Sequence, residues 1–306
     1  MKPKVSILIP TYNYAHYIGE AIESALSQTY RDFELIIIDD KSKDNTDEVV
    51  AKYLSDPRVK YIKNNKNLGL AANFNEALKY ANGEYIKYLL ADDVFHPALL
   101  EKMVPVMDKY PNVMLVTSKR DMFGSKSKSS DLPLLHLQDG KTVIYASLKE
   151  KAGNWIGEPT TVMFRKSALH IGNFNTSYTC LVDWEMWLRL LTVGDCYIIP
   201  ETLSYFRVHD KQASKLIMND YKYTFEDYDF YRSVKSENAL KLDLSKLDID
   251  SMIKKRAVFC SKAMYKLLPH ILRKNHRENF LKAFKIARKE KVLLAPLLRF
   301  IAPKNN

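Results

Sequence analysis

Over residues 5–117 the chain alternates short β-branched runs with stretches of helical period, and that alternation leaves few folds open. Residues 5–9 are an apolar run closed by Pro10 and read as a buried strand. Ile18, Ala21, Ile22, Ala25 and Leu26 recur at three- and four-residue spacing, which predicts a helix over 15–28. A second strand over 33–38 is closed by Asp39-Asp40, and Thr46 is read as the cap of a helix burying Val49, Val50, Tyr53 and Leu54. A strand over 59–62, a helix over 70–81 and a strand over 85–90 that stops before Asp92-Asp93 follow. A helix over 97–110 with Pro97 in its first turn and a strand over 113–117 complete the series. Strands joined by helices through short links run parallel, with helices on both faces of the sheet. The fold class is therefore α/β. Ligands bind such sheets at the carboxyl ends of the strands. Here those ends carry Pro10-Thr11-Tyr12, Asp39-Asp40 and Asp92-Asp93. Any strand must end in something polar, but two strands that both end in Asp-Asp exceed what a turn requires.

The pattern then changes. Residues 124–140 have no clear period and are expected to form a mobile loop or insertion. Strands are expected over 160–164, 197–199 and 203–208, and a helix over 182–191. Beyond about residue 212 the text is helical, Tyr-rich and then Lys-rich. The expected division is 1–211, with halves 1–93 and 94–211, followed by a basic helical extension over 212–306. The chain carries a formal charge of +11, yet residues 251–306 hold 15 Lys and Arg against Glu278 and Glu290 alone. The body is thus nearly neutral, and the basic excess is a C-terminal property suited to anionic lipid, nucleic acid or an acidic partner.

Cys180, Cys196 and Cys260 are odd in number and form no CxxC pair, which argues against a disulfide framework or structural zinc. No apolar run reaches the roughly 18–20 residues that span a bilayer. Met1-Lys2-Pro3-Lys4 resembles the start of a leader, but the apolar run behind it is too short. The expectation is a cytoplasmic protein, or one peripheral on the inner face of the cell membrane. The usual phosphate cradles, GxGxxG and GxxxxGK[ST], are absent, as are GxSxG and HExxH. An α/β protein without a glycine loop must neutralise phosphates in another way. Carboxylates holding Mg²⁺ or Mn²⁺ are one, and Asp92-Asp93 is suited to it.

The order of the pieces is more specific than any one of them. Val5-Ser6-Ile7-Leu8-Ile9-Pro10-Thr11-Tyr12-Asn13, Ala25-Leu26-Ser27-Gln28-Thr29-Tyr30 and Phe33-Glu34-Leu35-Ile36-Ile37-Ile38-Asp39-Asp40 open the chain. Asn67-Leu68-Gly69-Leu70, Asn73-Phe74-Asn75, Gly83-Glu84-Tyr85 and Ala91-Asp92-Asp93 follow. Across residues 3–210 this series resembles the family 2 glycosyltransferases. The resemblance implies a GT-A fold, a Rossmann-like and mostly parallel sheet with helices on both faces. It also implies a nucleotide-sugar donor, usually a UDP-sugar, an inverting displacement, and Mn²⁺ or Mg²⁺. By position, Pro10 and Tyr12 would line the base pocket, Asp40 would accept from the uracil N–H, and Asn73 would contact the nucleotide. Asp92 would meet the ribose or a metal-bound water, and Asp93 would ligate the metal.

Inversion needs a general base for the acceptor hydroxyl. Leu181-Val182-Asp183-Trp184-Glu185 resembles the family segment that carries it, with Asp183 as base and Glu185 as rival. Both also fit a capped first helical turn. His209, in Arg207-Val208-His209, resembles a residue that completes the metal site. Trp155, Glu158 and Trp184 fall where the family meets the acceptor; the indoles suit either a pyranose face or the core. The chain departs from the family pattern at Val182 (commonly Glu), Leu90 (often Asp) and Phe74 (often basic). The implied function is sugar transfer to a glycan or lipid-linked acceptor in polysaccharide or lipopolysaccharide synthesis. A nucleotidyltransferase on a similar sheet and a non-catalytic glycan-binding, membrane-associated protein are the alternatives. In the tail, Phe280, Phe284 and Ala287 form one stripe with Lys282, Lys285, Arg288 and Lys289 outside it. Leu293-Leu294, Leu297-Leu298, Phe300 and Ile301 follow. This suits a helix on anionic lipid or one packed on the body, while nucleic acid has no accompanying motif.

Overall fold

The computed structural model describes residues 2–149, 154–210, 212 and 221–298. Strand β1 (Val5–Thr11) is buried at all seven positions, and so is β2 (Phe33–Asp39), as strands covered on both faces must be. Helix α1 (Ala15–Leu26) turns Ile18, Ala21, Ile22 and Ala25 inward, and α3 (Leu70–Tyr80) buries Ala71, Phe74, Ala77 and Leu78. Beside them run β3 (Val59–Lys63), β4 (Tyr85–Tyr88), the short β5 (Val94–Phe95) and β6 (Val113–Gly124). Helix α4 (Leu99–Lys109) precedes β6. The later strands are β7 (Lys128–Ser129), β8 (His136–Gln138), β9 (Met163–Arg165) and β10 (Asp195–Val208). The sheet order is β3-β2-β1-β4-β9-β6-β10-β5, with β7 on β6 and β8 on β10.

This arrangement creates a crevice at β1. The chain leaves β1 for β2 and β3 on one side and returns as β4 on the other, the topological switch at which α/β sheets bind ligands. The β1–β2 ladder continues to Thr11 opposite Asp39, whereas the β1–β4 ladder stops at Leu8 opposite Tyr88. Leu8 O accepts from Leu89 N and Thr11 O from Asp40 N, so alternation turns Pro10 toward the β4 side. Its missing N–H falls where β4 no longer pairs, and the sheet opens there. At the other end of the pairing, Gly83 lies against β1 so closely that a Cβ would stand 2.4 Å from Ser6 N.

The outer parts depart from the periodicity in four places. Helix α2 (Thr46–Ala51) is one short piece with Asn45 as its N-cap, because the Thr46 hydroxyl donates to Asp44; Leu54 lies beyond it, exposed. Residues 124–140 are not a featureless loop, since they contain β7, which pairs with β6, and β8, which pairs with β10. Two expected strands over 197–208 are one, β10, with register shifts on both sides of Thr202, next to Pro200, which has no N–H to donate. Strand β9 runs antiparallel to both β4 and β6, so the sheet is mostly rather than wholly parallel. Helices α5 (Gly140–Lys149) and α6 (Val182–Leu190) complete this part.

The chain divides into two compact units. The first holds the sheet, up to Ser177 and again over Val182–His209; the second takes Tyr178–Leu181 and the described residues from Asp210 on. The second unit is helical: α7 (Lys222–Glu237), α8 (Ile249–Leu267) and α9 (Lys274–Lys289). Ile249, Ile253, Ala257, Cys260, Met264 and Leu267 form the buried stripe of α8, whose first turn is capped by Asp248. In α9 the buried face is Ala283, Ile286 and Ala287, while Phe284 stays exposed. The expected stripe of Phe280, Phe284 and Ala287 is thus divided between core and surface. The Leu297 and Leu298 side chains, Phe300 and Ile301 lie outside the described residues. Among the described residues no helix is long and apolar enough to cross a membrane.

Candidate active site

The base-pocket candidates flank the opening beside β1. Pro10 is buried within the strand, and Tyr12, just beyond its end, is 38% exposed. Asp40 is buried and already accepts from Leu68 N (2.7 Å), Gly69 N (2.8 Å) and Asn64 Nδ2 (2.9 Å). A carboxylate has about four acceptor positions, so three donors leave room for one more. Its neighbour Asp39 is wholly internal, accepting from Ser42 N and Oγ, and from the Tyr61 hydroxyl at 2.8 Å. Asn73 is also buried; its amide donates to Ile38 O and accepts from Asn64 Nδ2. Asn73 thus ties the end of β2 to Asn64, which itself donates to Asp40.

The end of β4 is built differently. Asp93 is buried, with Oδ2 accepting from Thr160 Oγ1 (2.6 Å) and Oδ1 from Arg207 N (3.0 Å). Burial, then the Asp92 charge beside it, pushes its carboxyl well above the usual carboxylate range. Asp92 Oδ2 instead meets His209 Nε2 at 3.0 Å. The expected metal pair was Asp93 with His209; the structure brings His209 to Asp92. The His209 ring lies 4.8 Å from Tyr17 and 6.0 Å from Tyr14, between centroids. The Arg207 guanidinium donates to Asp92 O (2.8 Å), pairs with Glu20 and covers the Tyr17 and Phe123 rings.

Among the described residues no group of three or more His, Cys, Asp and Glu is arranged to hold a metal. Asp92 and His209 nevertheless offer one carboxylate oxygen and one imidazole nitrogen 3.0 Å apart. Adjacent ligands on an octahedral cation at about 2.1 Å are also about 3 Å apart. Mg²⁺ typically takes only one or two protein ligands and fills its shell with phosphate oxygens and water. The donor set fits a cation shared with a bound diphosphate.

The second carboxylate centre is at the start of α6. Asp183 Oδ2 accepts from Asn154 Nδ2 (3.0 Å), and Oδ1 from Trp184 N (2.8 Å). Burial, then the nearby Glu158 charge, pushes its carboxyl up to about 7. Such a group is a competent base near neutral pH. Glu185 is held by Arg189 through two bonds of 2.8 and 3.0 Å, which leaves Asp183 the better placed of the two. Glu158 pairs with Arg120. Trp155 and Trp184 are both buried, so neither presents an open ring to a sugar, and the stacking expectation gives way to a packing role.

Sequence reasoning missed Asn154, Thr160, Arg120 and Arg207 around these carboxylates, and Tyr14 and Tyr17 around His209. Polar residues flanking Trp155 and Gly157 were the only available signal, since the contacts join residues far apart in the chain.

Comparison with known proteins follows the same lines. The family described as glycosyl transferase family 2 matches residues 6–171. An uncharacterized glycosyltransferase of Rickettsia typhi is 32% identical over 236 residues, 71% of this chain and 68% of that protein. One from Haemophilus influenzae is 30% identical over 266 residues, 81% of this chain and 76% of that one. A longer Rickettsia felis relative, 31% identical, matches 71% of this chain, which spans 36% of that protein. Among solved structures, S. aureus TarS 1–349 in complex with UDP-GlcNAc aligns over 94% of this chain and 92% of its own, with a TM-score of 0.61 and 17% identity. The mannosyltransferase PcManGT from Pyrobaculum calidifontis, in complex with GDP-Man and Mn²⁺, aligns over 95% and 88%, with a TM-score of 0.58 and 16% identity. At such identities the likeness shows the fold.

Proposed function

The chain belongs to glycosyl transferase family 2, and from that premise we propose that it moves a sugar from a UDP-sugar to a hydroxyl of a glycan or lipid-linked acceptor, with inversion. One observation carries this reading. Residues 154–162 touch both carboxylate centres, through Thr160 on Asp93 and Asn154 on Asp183. The diphosphate side and the basic side of the reaction are thereby joined by a few residues of chain.

Each residue has a part in this reading. Tyr12 offers its exposed ring to the base, and Asp40 keeps one acceptor position for it. Asp92 and His209 would hold Mn²⁺ or Mg²⁺, which supplies positive charge to the departing diphosphate. Asp93 fixes the turn that presents Asp92, by way of Thr160 and the Arg207 backbone. Asp183 takes the proton of the attacking acceptor hydroxyl, and Asn154 holds it in the orientation to do so. The second unit adds a location. Leu268, Leu272, Leu281 and Leu294 are exposed among Lys and Arg, a combination suited to an anionic membrane surface. A lipid-linked acceptor in polysaccharide or lipopolysaccharide synthesis would be met there.

The test is calorimetric titration with UDP, with and without Mn²⁺, beside turnover of a panel of UDP-sugars by wild type and Asp183→Asn. Metal-dependent UDP binding in both proteins, with turnover in wild type alone, is expected. Silence with UDP, GDP, dTDP and CDP overturns the reading; full turnover by Asp183→Asn favours a nucleotidyltransferase.

A further inference from the structure

Residues 154–162 contain no helix or strand, yet four side chains from three elements hold their backbone. Arg120, on β6, donates to the Asn154 and Trp155 carbonyls at 3.3 and 3.4 Å. Thr117, on the same strand, donates to Ile156 O. Lys87, wholly buried on β4, donates to Thr160 O and, at 3.1 Å, to Val162 O. The Trp187 indole donates to Gly157 O at 2.9 Å. Gly157 itself has φ +118°, and a Cβ there would meet Thr161 at 2.8 Å. A segment held at so many carbonyls places its side chains as firmly as a strand would.

Arg120 differs from the other anchors because it also carries charge toward the base. Its Nε lies 2.5 Å from Glu158 Oε2, and Glu158 is the acidic neighbour that acts on Asp183. The charged groups around Asp183 are Glu158 from the segment, Arg120 from β6 and, on its own helix, Glu185, which is paired with Arg189. Nothing in the recurrent strand-end motifs singles out Arg120.

We propose that Arg120 is a positioning residue for Asp183: it holds residues 154–158 where the Asn154 amide meets that carboxylate, and it offsets the Glu158 charge beside it. The inference rests on Asp183 being the base. Without Arg120, Glu158 would stand uncompensated and Asp183 would hold its proton more tightly. A planar fork also reaches two carbonyls and a carboxylate at once, which an ammonium cannot do in the same geometry.

The experiment is a ¹³C-carboxyl NMR titration of Asp-labelled protein, with the Asp183 signal assigned by its loss in Asp183→Asn. In Arg120→Gln its midpoint should rise by about one pH unit, and Glu158→Gln alone should lower it. The Arg120→Gln/Glu158→Gln double variant should bring it back to or below the wild-type midpoint. A merely structural role would not predict that rescue. Arg120→Lys should leave the midpoint near wild type while turnover of UDP-sugars falls with donor KM unchanged. Unmoved midpoints in Arg120→Gln and Glu158→Gln overturn the inference; should Arg120→Gln fail to fold, Glu158→Gln and Arg120→Lys decide it. The base assignment fails separately, if Asp183→Asn turns over at the wild-type rate. An inactive Asp183→Asn with unmoved midpoints rejects Arg120 alone.

Discussion

The chain has two Asp-Asp corners, at the ends of β2 and β4, that are alike in sequence and opposite in surroundings. At the first, Asp39 and Asp40 take donors from Ser42, Tyr61, Asn64, Leu68 and Gly69, so they organise the loops that follow β2. At the second, only Asp93 is engaged inward, while Asp92 faces an imidazole from the far end of the chain's first unit. The difference teaches that the neighbours decide what a strand-end carboxylate can do: N–H and O–H donors tie the β2 corner into the fold, while an imidazole sets Asp92 beside a second group able to ligate a metal. Strand β10 and the residue just beyond it bring Arg207 and His209 to the β4 corner, whereas β3 and the loop after it supply most of the donors at the β2 corner.

This contrast can be broken by experiment. Asp92→Ala should cut turnover by about a thousandfold, the scale of losing one charge-stabilising group, with the melting temperature nearly unchanged. Asp40→Ala should cost stability as well as donor binding. It takes the acceptor from two half-buried backbone N–H groups and from one of the bonds of the Asn64 amide, and should lower the unfolding free energy measured in urea by about 1–3 kcal/mol. If Asp92→Ala proves the destabilising variant and Asp40→Ala the stable one, the two corners have been misassigned.

The Asp183 centre sharpens the comparison, because it is partly buried yet must ionise to act. With its carboxyl near 7, the base form is lost as pH falls, so kcat/KM should drop about tenfold per unit below that point. A pH–rate profile flat from 5 to 8 would contradict this. The smallest effect is expected in the second unit. Lys285→Glu with Lys289→Glu should leave turnover on a soluble acceptor within about twofold, as surface changes do. The same pair should weaken association with phosphatidylglycerol vesicles at about 1 kcal/mol or more per charge. Unaltered vesicle binding would detach the basic unit from membrane attachment.

Much of the framework was legible in the chain itself. The buried β-branched runs marked β1 and β2, the three- and four-residue spacing marked α1, and the helices expected over 70–81 and 182–191 match α3 and α6 to within a few residues. Less regular stretches were read less well. Antiparallel β9 and the pairing of β8 depend on neighbours supplied by distant segments, for which a local period carries no signal, and the two-residue β7 is too short to show a period at all. Trp155 and Trp184 illustrate the same limit: an indole beside polar residues reads equally as a sugar platform or as core, and only packing decided for core.

What the sequence determined alone was therefore which residue types stand at the strand ends, because backbone period and polarity are local properties. Which of them meet was decided by the tertiary structure. Asp92 and His209 are 117 residues apart, Asp93 and Thr160 67, and Asp183 and Asn154 29. Hydrogen bonds and charge interactions act over a few ångströms, so partnerships across such separations exist only once the sheet has brought the strand ends together.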